Sequence, residues 1–159
     1  MSSSDLEKSD VVAGYQLRFW IVDVQSIVWR RLLLRADNTL ADLHYAIQTC
    51  CRWSDDFLQQ FKIYSQTIGV PRLHGPWYTK SADDVQLSDL QLKVNQRFIY
   101  EYNFFVNWQL EIRVEKSCLL ETSRLYPLCI GVKRAAPPED CGGVFHFNEL
   151  RSHFSLFYI

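Results

Sequence analysis

The sequence has no apolar run of the roughly 18 residues that a membrane-crossing helix needs. It also shows no export signal. Met1 to Asp10 is serine-rich and acidic, without an apolar stretch, and reads as a disordered leader over residues 1–12. Neither sign of charge is in excess: 17 Lys and Arg stand against 18 Asp and Glu, for a net charge of −1. A nucleic-acid binder usually shows a basic surplus, so bulk charge does not favour that class, although a local basic patch remains compatible with it. The five cysteines are an odd number. Without an export signal they point to a reduced, cytoplasmic protein with free thiols and not to a disulfide framework. Nucleotide-cradling patterns (G-x-x-x-x-G-K or G-x-G-x-x-G) are missing, which removes those phosphate-binding loops. Six glycines and five prolines are few for 159 residues. They mark the loop from Gly69 to Pro76 and the tail from Tyr126 to Gly143 as irregular.

What is present fits one well-cored domain over residues 13–159. Hydrophobic residues make up 48% and aromatics 14%. A chain of this length buries about two thirds of its unfolded surface and needs no covalent staple. Tyr15, Leu17, Phe19 and Ile21 alternate with polar residues and predict a first strand with those four facing the core. Ile27 to Leu34 predicts a second. Arg30 and Arg31 then point to opposite faces, because side chains in a strand alternate. One of them must reach the core or the helix and needs a partner there: Asp37, Asp42 or a backbone carbonyl. Structural pairing is preferred to anion binding for both.

Thr39 to Trp53 is the helix around which the rest is organised. Thr39 and Asp42 have the spacing of a capping box, and Asp37 and Asp42 place negative charge near the positive end of the helix dipole. Leu40, Leu43, Ile47 and Cys50 share one face, widened by Ala46 and Cys51. His44 lies beside that stripe and reads as a packed histidine. Phe57 to Tyr64 predicts a third strand. Trp77 and Tyr78 are expected to pin the following loop to the body. Gln86 to Leu90 reads as a short helical turn, and Arg97 to Val106 and Trp108 to Lys116 as two strands. Asn148 onward predicts a final helix with Leu150, Phe154 and Phe157 on one face.

This order predicts an α+β fold: a β-grasp-like mixed sheet packed on one main helix. The Trp108–Lys116 strand is added at the sheet edge, and a loop–helix segment closes the chain. Fold analogy carries no function.

The chemical candidates are sparse. Cys129, Cys141 and His146 are three possible metal ligands without the fourth that a structural zinc site needs, so no metal and no cofactor is assigned. Cys50 and Cys51 are adjacent on a helix and point apart. No cysteine or histidine sits in a nucleophile motif, and no catalytic residue is assigned. Glu139 and Asp140 lie in a Pro-Gly loop, where carboxylates more often hold the loop than move protons. Binding remains. Outward-facing Trp29, Trp53, Trp77, Tyr78 or Trp108, with Arg30, Arg31, Glu139 and Asp140, are candidates for a protein partner, because large aromatics and arginine concentrate binding energy. Sheet edges also invite strand addition.

Several motifs in order carry a family resemblance: Val28-Trp-Arg-Arg-Leu32, Thr39-Leu-Ala-Asp-Leu-His44, Trp53, Phe98-Ile-Tyr-Glu-Tyr102, Trp108, Tyr126-Pro127 with Cys129, and Pro137-Pro-Glu-Asp-Cys-Gly-Gly143. Over Tyr15 to Leu150 the chain resembles the Ri-plasmid third-open-reading-frame-like family, whose members occur on plasmids, transposons and chromosomes. The family pattern places histidines where this chain has Phe57, Gln59 and Leu110. It places aspartates at Asn103 and Val106, and a cysteine at Ala136. The resemblance therefore implies that a polar site, if the family has one, is lost here, which makes catalysis the less favoured reading. The reading that follows is a non-catalytic interaction domain, an adaptor or subunit of a complex, encoded on a mobile element. The alternatives are a metal-assisted or nucleic-acid-processing enzyme of such an element, and an inhibitor or decoy of a host complex.

Overall fold

Period-two alternation sorts the long strands into one apolar and one polar face, and the apolar faces meet a single helix. The computed structural model describes residues 10–153. In chain order the elements are β1 (Val11–Ile21), β2 (Trp29–Arg35), α1 (Leu40–Cys51), β3 (Gln59–Ile63), β4 (Gln66–Gly69), β5 (Lys80–Ser81), β6 (Arg97–Tyr102), β7 (Trp108–Glu121), β8 (Leu128–Lys133) and α2 (Val144–His153). Short 3-10 turns cover Ala82–Asp84 and Leu87–Leu90. The strands form one sheet in the order β5-β4-β3-β6-β7-β1-β2-β8. Among the described residues, only the short β4–β5 pair is parallel.

The α+β class is as expected from the sequence. The strand order does not reproduce the β-grasp expectation in detail, because the strand predicted at the edge is central. β7 lies between β6 and β1 and pairs with both. It also runs five residues beyond Lys116, to Glu121. The pairing with β1 shifts register between Gln16 and Leu17, so Glu115 is an extra residue on β7. Such a bulge interrupts the alternation that marks a strand in sequence. The true edge on that side is β8, in the tail that reads as irregular. Val11 and Val12, placed by composition in the leader, pair with Glu121 and Leu120. The remaining leader residues before Asp10 lie outside the described residues.

The helix α1 forms as its sequence dictates. Thr39 accepts from the Asp42 amide, and the Asp42 carboxylate accepts from the Thr39 amide. Leu40, Leu43 and Ile47 are fully buried and Cys51 nearly so, while Cys50 is half-buried. Arg52 ends the helix in a left-handed conformation. The inner face of the sheet meets it with Leu17, Phe19, Leu32, Leu34, Phe61, Tyr100, Leu110, Ile112 and Val114, all buried. The final helix starts earlier than predicted, at Val144. Phe154 and Phe157, expected on its apolar face, lie outside the described residues. Among the described residues no helix is long and apolar enough to cross a membrane.

Candidate functional site

The Pro137–Gly143 loop is tied to one end of the sheet by an aromatic stack. Trp53 lies parallel to Tyr102, with ring centroids 5.2 Å apart, and stacks on Trp108 at 5.7 Å. Phe57 meets Tyr102 edge-on at 5.8 Å. Such pairs add about 0.5–1.5 kcal/mol beyond their buried area. Buried indole and phenol groups need acceptors, and the loop supplies them. Trp53 Nε1 donates to the Pro137 carbonyl at 2.9 Å, and Trp108 Nε1 to the Glu139 carbonyl at 3.2 Å. Tyr102 donates to one Glu139 carboxylate oxygen and the Ser54 amide to the other, each at 2.7 Å. Burial, with the Glu139 hydrogen bond, holds the Tyr102 phenol above its ordinary pKa. Gly143, at φ +99°, brings the loop against Val106, whose carbonyl lies 3.2 Å from where a Cβ would stand. Glu139 is thus a loop anchor, as the sequence suggested. Asp140 is exposed, and among the described residues its side chain has no hydrogen-bond partner.

Of the positions where the resemblance implies His, Asp or Cys, Phe57 and Gln59 lie beside Tyr102 of this stack. Phe57 packs on Tyr102. Gln59 is fully buried and exchanges hydrogen bonds with the Val70 backbone at 2.9 and 3.3 Å. Asn103, at φ 59°, turns the chain into β7 and accepts from the Phe105 amide at 3.2 Å. Leu110 is part of the buried core, and Ala136 and Val106 are partly buried against that core. Each side chain here fills space or holds backbone.

A second polar constellation lies deeper, and sequence alone missed it. His44 is fully buried, with Nδ1 2.7 Å from the Tyr100 hydroxyl and Nε2 2.8 Å from Asp55 Oδ1. Gln48 Nε2 donates to the Tyr100 oxygen at 2.9 Å, and the Asp55 amide donates to Gln48 Oε1 at 3.0 Å. Arg72 donates to the Asp55 carboxylate and, at 2.7 Å, to its carbonyl. One assignment of protons satisfies the whole chain. Asp55 accepts from Nε2–H, so Nδ1 is bare and accepts from Tyr100, whose oxygen accepts from Gln48. Burial lowers the His44 pKa despite the opposing pull of Asp55, and burial raises that of Tyr100 well above the phenol range. A neutral His44 is what the hydrogen-bond pattern requires. Asp–His–Tyr chains can relay protons, but the Tyr100 end is sealed in the core. The Thr39–Asp42 cap places His44 on the inner face of α1; no local signal marks Asp55 or Tyr100 as its partners.

The remaining predicted residues scatter. Arg30 is the buried arginine and takes backbone carbonyls: Cys50 at 3.2 Å, Trp29 at 2.9 Å, Arg134 at 2.8 Å and Lys133 at 3.4 Å. It caps the negative end of α1 and is structural. Arg31 faces the other way, lies over the Trp29 ring at 4.9 Å and pairs with Glu115 at 2.6 Å. Trp77 is 99% exposed, which corrects the expectation that it pins the loop. Only Tyr78 does so, stacking over Gly69 and donating to the Gln59 carbonyl. Cys141 is half-buried, with His146 near the neighbouring Gly142. Cys129 stands apart on β8, beside Cys50. Burial and that neighbouring thiol push Cys50 up to about 12. Among the described residues, no three His, Cys, Asp or Glu side chains converge as a metal site.

The sequence matches the profile of the plasmid pRiA4b ORF-3-like protein family over residues 13–155. The chain belongs to this family. A similar relative is the uncharacterized protein y4hQ of Sinorhizobium fredii, 25% identical over 142 residues that cover 87% of this chain and 72% of that protein. A crystal structure of a protein of unknown function from Methanosarcina mazei Go1 superposes with a TM-score of 0.79 at 33% identity, covering 90% of this chain and 82% of that one. The pRiA4b ORF-3-like fold therefore extends over nearly all the described chain.

Proposed function

We propose that this pRiA4b ORF-3-like chain is a non-catalytic protein-interaction domain, a cytoplasmic adaptor or subunit encoded on a mobile element. The observation that carries it is the edge at β8, beyond which no strand pairs among the described residues. This strand ends the sheet order, and its Ile130 and Val132 are 43% and 65% exposed. Ile27 is exposed nearby, where Arg134 donates to its carbonyl at 2.9 Å. An unpaired edge with apolar side chains is a template for strand addition. Ile130 bulges out of the pairing with β2, which twists the edge and restricts docking to a short, matched segment of a partner chain.

Native mass spectrometry on protein purified from its own host tests this. Wild type is expected to carry added mass of protein size, and the Ile130→Lys/Val132→Lys variant to lose it. A bare 18.8 kDa chain in both would sink the interaction reading. A bare chain plus one metal ion would favour the metal-assisted alternative.

A further inference from the structure

Four arginines stand side by side across the outer face of the sheet. Arg18 on β1 lies opposite Arg31 on β2 and opposite Arg113 on β7. Arg113 in turn lies opposite Arg97 on β6. All four alternate with buried neighbours and so face away from α1. With adjacent strands about 4.8 Å apart, the row spans about 14 Å. Like charges directly opposite in a sheet destabilise it, so the arrangement costs stability and calls for a counter-charge.

The protein supplies only part of one. Glu115 is bonded to Arg31 and to Gln16, at 2.6 and 3.3 Å. Glu111 bonds Arg97 at 3.0 Å. These serve the two ends of the row. Among the described residues the central pair, Arg18 and Arg113, has no carboxylate partner, and the Nε atoms of both are shielded from solvent with no hydrogen-bond acceptor. Three of the four guanidinium groups lie against aromatics. Arg18 and Arg97 lie 5.6 and 5.5 Å from the Trp20 ring centroid, and Arg31 lies over Trp29. Stacking of this kind fixes the plane of the fork. The Glu115 and Glu111 carboxylates occupy donors of Arg31 and Arg97, so among the described residues the forks with both terminal nitrogens unengaged are those of Arg18 and Arg113.

We propose that this face binds the phosphate backbone of a single-stranded nucleic acid, with Arg18 and Arg113 at the centre and Arg31 and Arg97 flanking them. Fixed guanidinium forks match phosphate oxygens two at a time. A line of four suits a ligand whose charges repeat, and the half-exposed Trp20 and Trp29 indoles beside it offer bases surfaces on which to stack. The overall charge of −1 supplies no long-range attraction, so binding rests on the row itself.

The test is fluorescence anisotropy with a labelled single strand of mixed sequence, about 12 nucleotides long, in about 50 mM salt. The wild-type chain is expected to bind it. The Arg18→Gln/Arg113→Gln variant should bind at least about tenfold more weakly, and its salt slope should fall by about 1.4, about 0.7 for each phosphate no longer neutralised. Arg18→Lys/Arg113→Lys, which keeps the charge but not the fork, should lie between the two. It also keeps the test decisive if the glutamine variant does not fold. The glutamine variant should melt no lower than wild type, because it removes like-charge neighbours. No binding by wild type, or equal binding by all three proteins, would overturn the proposal. Equal displacement by tripolyphosphate at matched phosphate, or by an acidic peptide of the same charge, would overturn the nucleic-acid assignment.

Discussion

His44 remains neutral in the folded chain because burial outweighs the attraction of Asp55. In the unfolded chain it binds a proton near its ordinary pKa of about 6.5. A lowered folded pKa means the unfolded state takes up more protons as pH falls, so stability present above about 6.5 declines below it. The chain is expected to melt at lower temperature at pH 5 than at pH 7. His44→Gln should flatten that dependence while lowering stability at pH 7, since the links to Tyr100 and Asp55 are weakened. Thermal melts of both proteins across this range check it, and parallel curves would exclude His44 as the source. Asp37 and Glu115, whose carboxyls are held low by Arg35 and Arg31, act in a separate window. Their stabilisation is present above ordinary carboxylate pKa values and is lost as pH falls through their own depressed ones.

At the scale of elements, the loop from Pro137 to Gly143 behaves as a strap whose buckle is Glu139. Glu139→Ala leaves the Tyr102 hydroxyl and the Ser54 amide without their acceptor. The expected cost is about 2 kcal/mol, with faster amide exchange at Ser54 and across residues 139–143. Glu139→Gln keeps a carbonyl oxygen and should cost less. An unchanged melting temperature for the alanine variant would show that the aromatic stack holds the loop without it. Local chemistry of this kind is what the sequence displays well. Thr39 and Asp42 mark α1 because capping acts across three residues. The need of one arginine for a backbone partner follows from alternation alone, and Arg30 meets it. Pro-Pro-Glu-Asp reads as an anchored loop for the same reason. β4 and β5 are hidden because each is held by two or three residue pairs beside a Gly-Pro loop. β8 is hidden because its apolar residues alternate with Cys129 and Gly131. The His44 network and the arginine row are hidden for a different cause. Both depend on which strands become neighbours, and no residue signals that locally.

Across the whole molecule, the central position of β7 decides which parts can fold alone. The strand pairs with β1 along eleven positions and with β6 along six, so it joins the two halves of the sheet. A chain ending at Tyr102 retains α1 and six strands of sequence but lacks the strand between β6 and β1. It should show no protected amides in β1 by hydrogen exchange, whereas a chain ending at Thr122 should protect them. Protection in the shorter chain would mean that the β1–β2 hairpin on α1 is stable by itself.

The same connection has a consequence for synthesis on the ribosome. β1 leaves the exit tunnel before β7, whose pairing positions lie roughly 90 to 110 residues later in the chain. At about 5–20 residues per second, one side of β1 waits on the order of 5 to 20 s for its mate. For that interval Leu17, Phe19 and Ile21 are a sticky half-sheet on a nascent chain. The burden on chaperones therefore falls on β1 during that wait, and crowded polysomes expose it most.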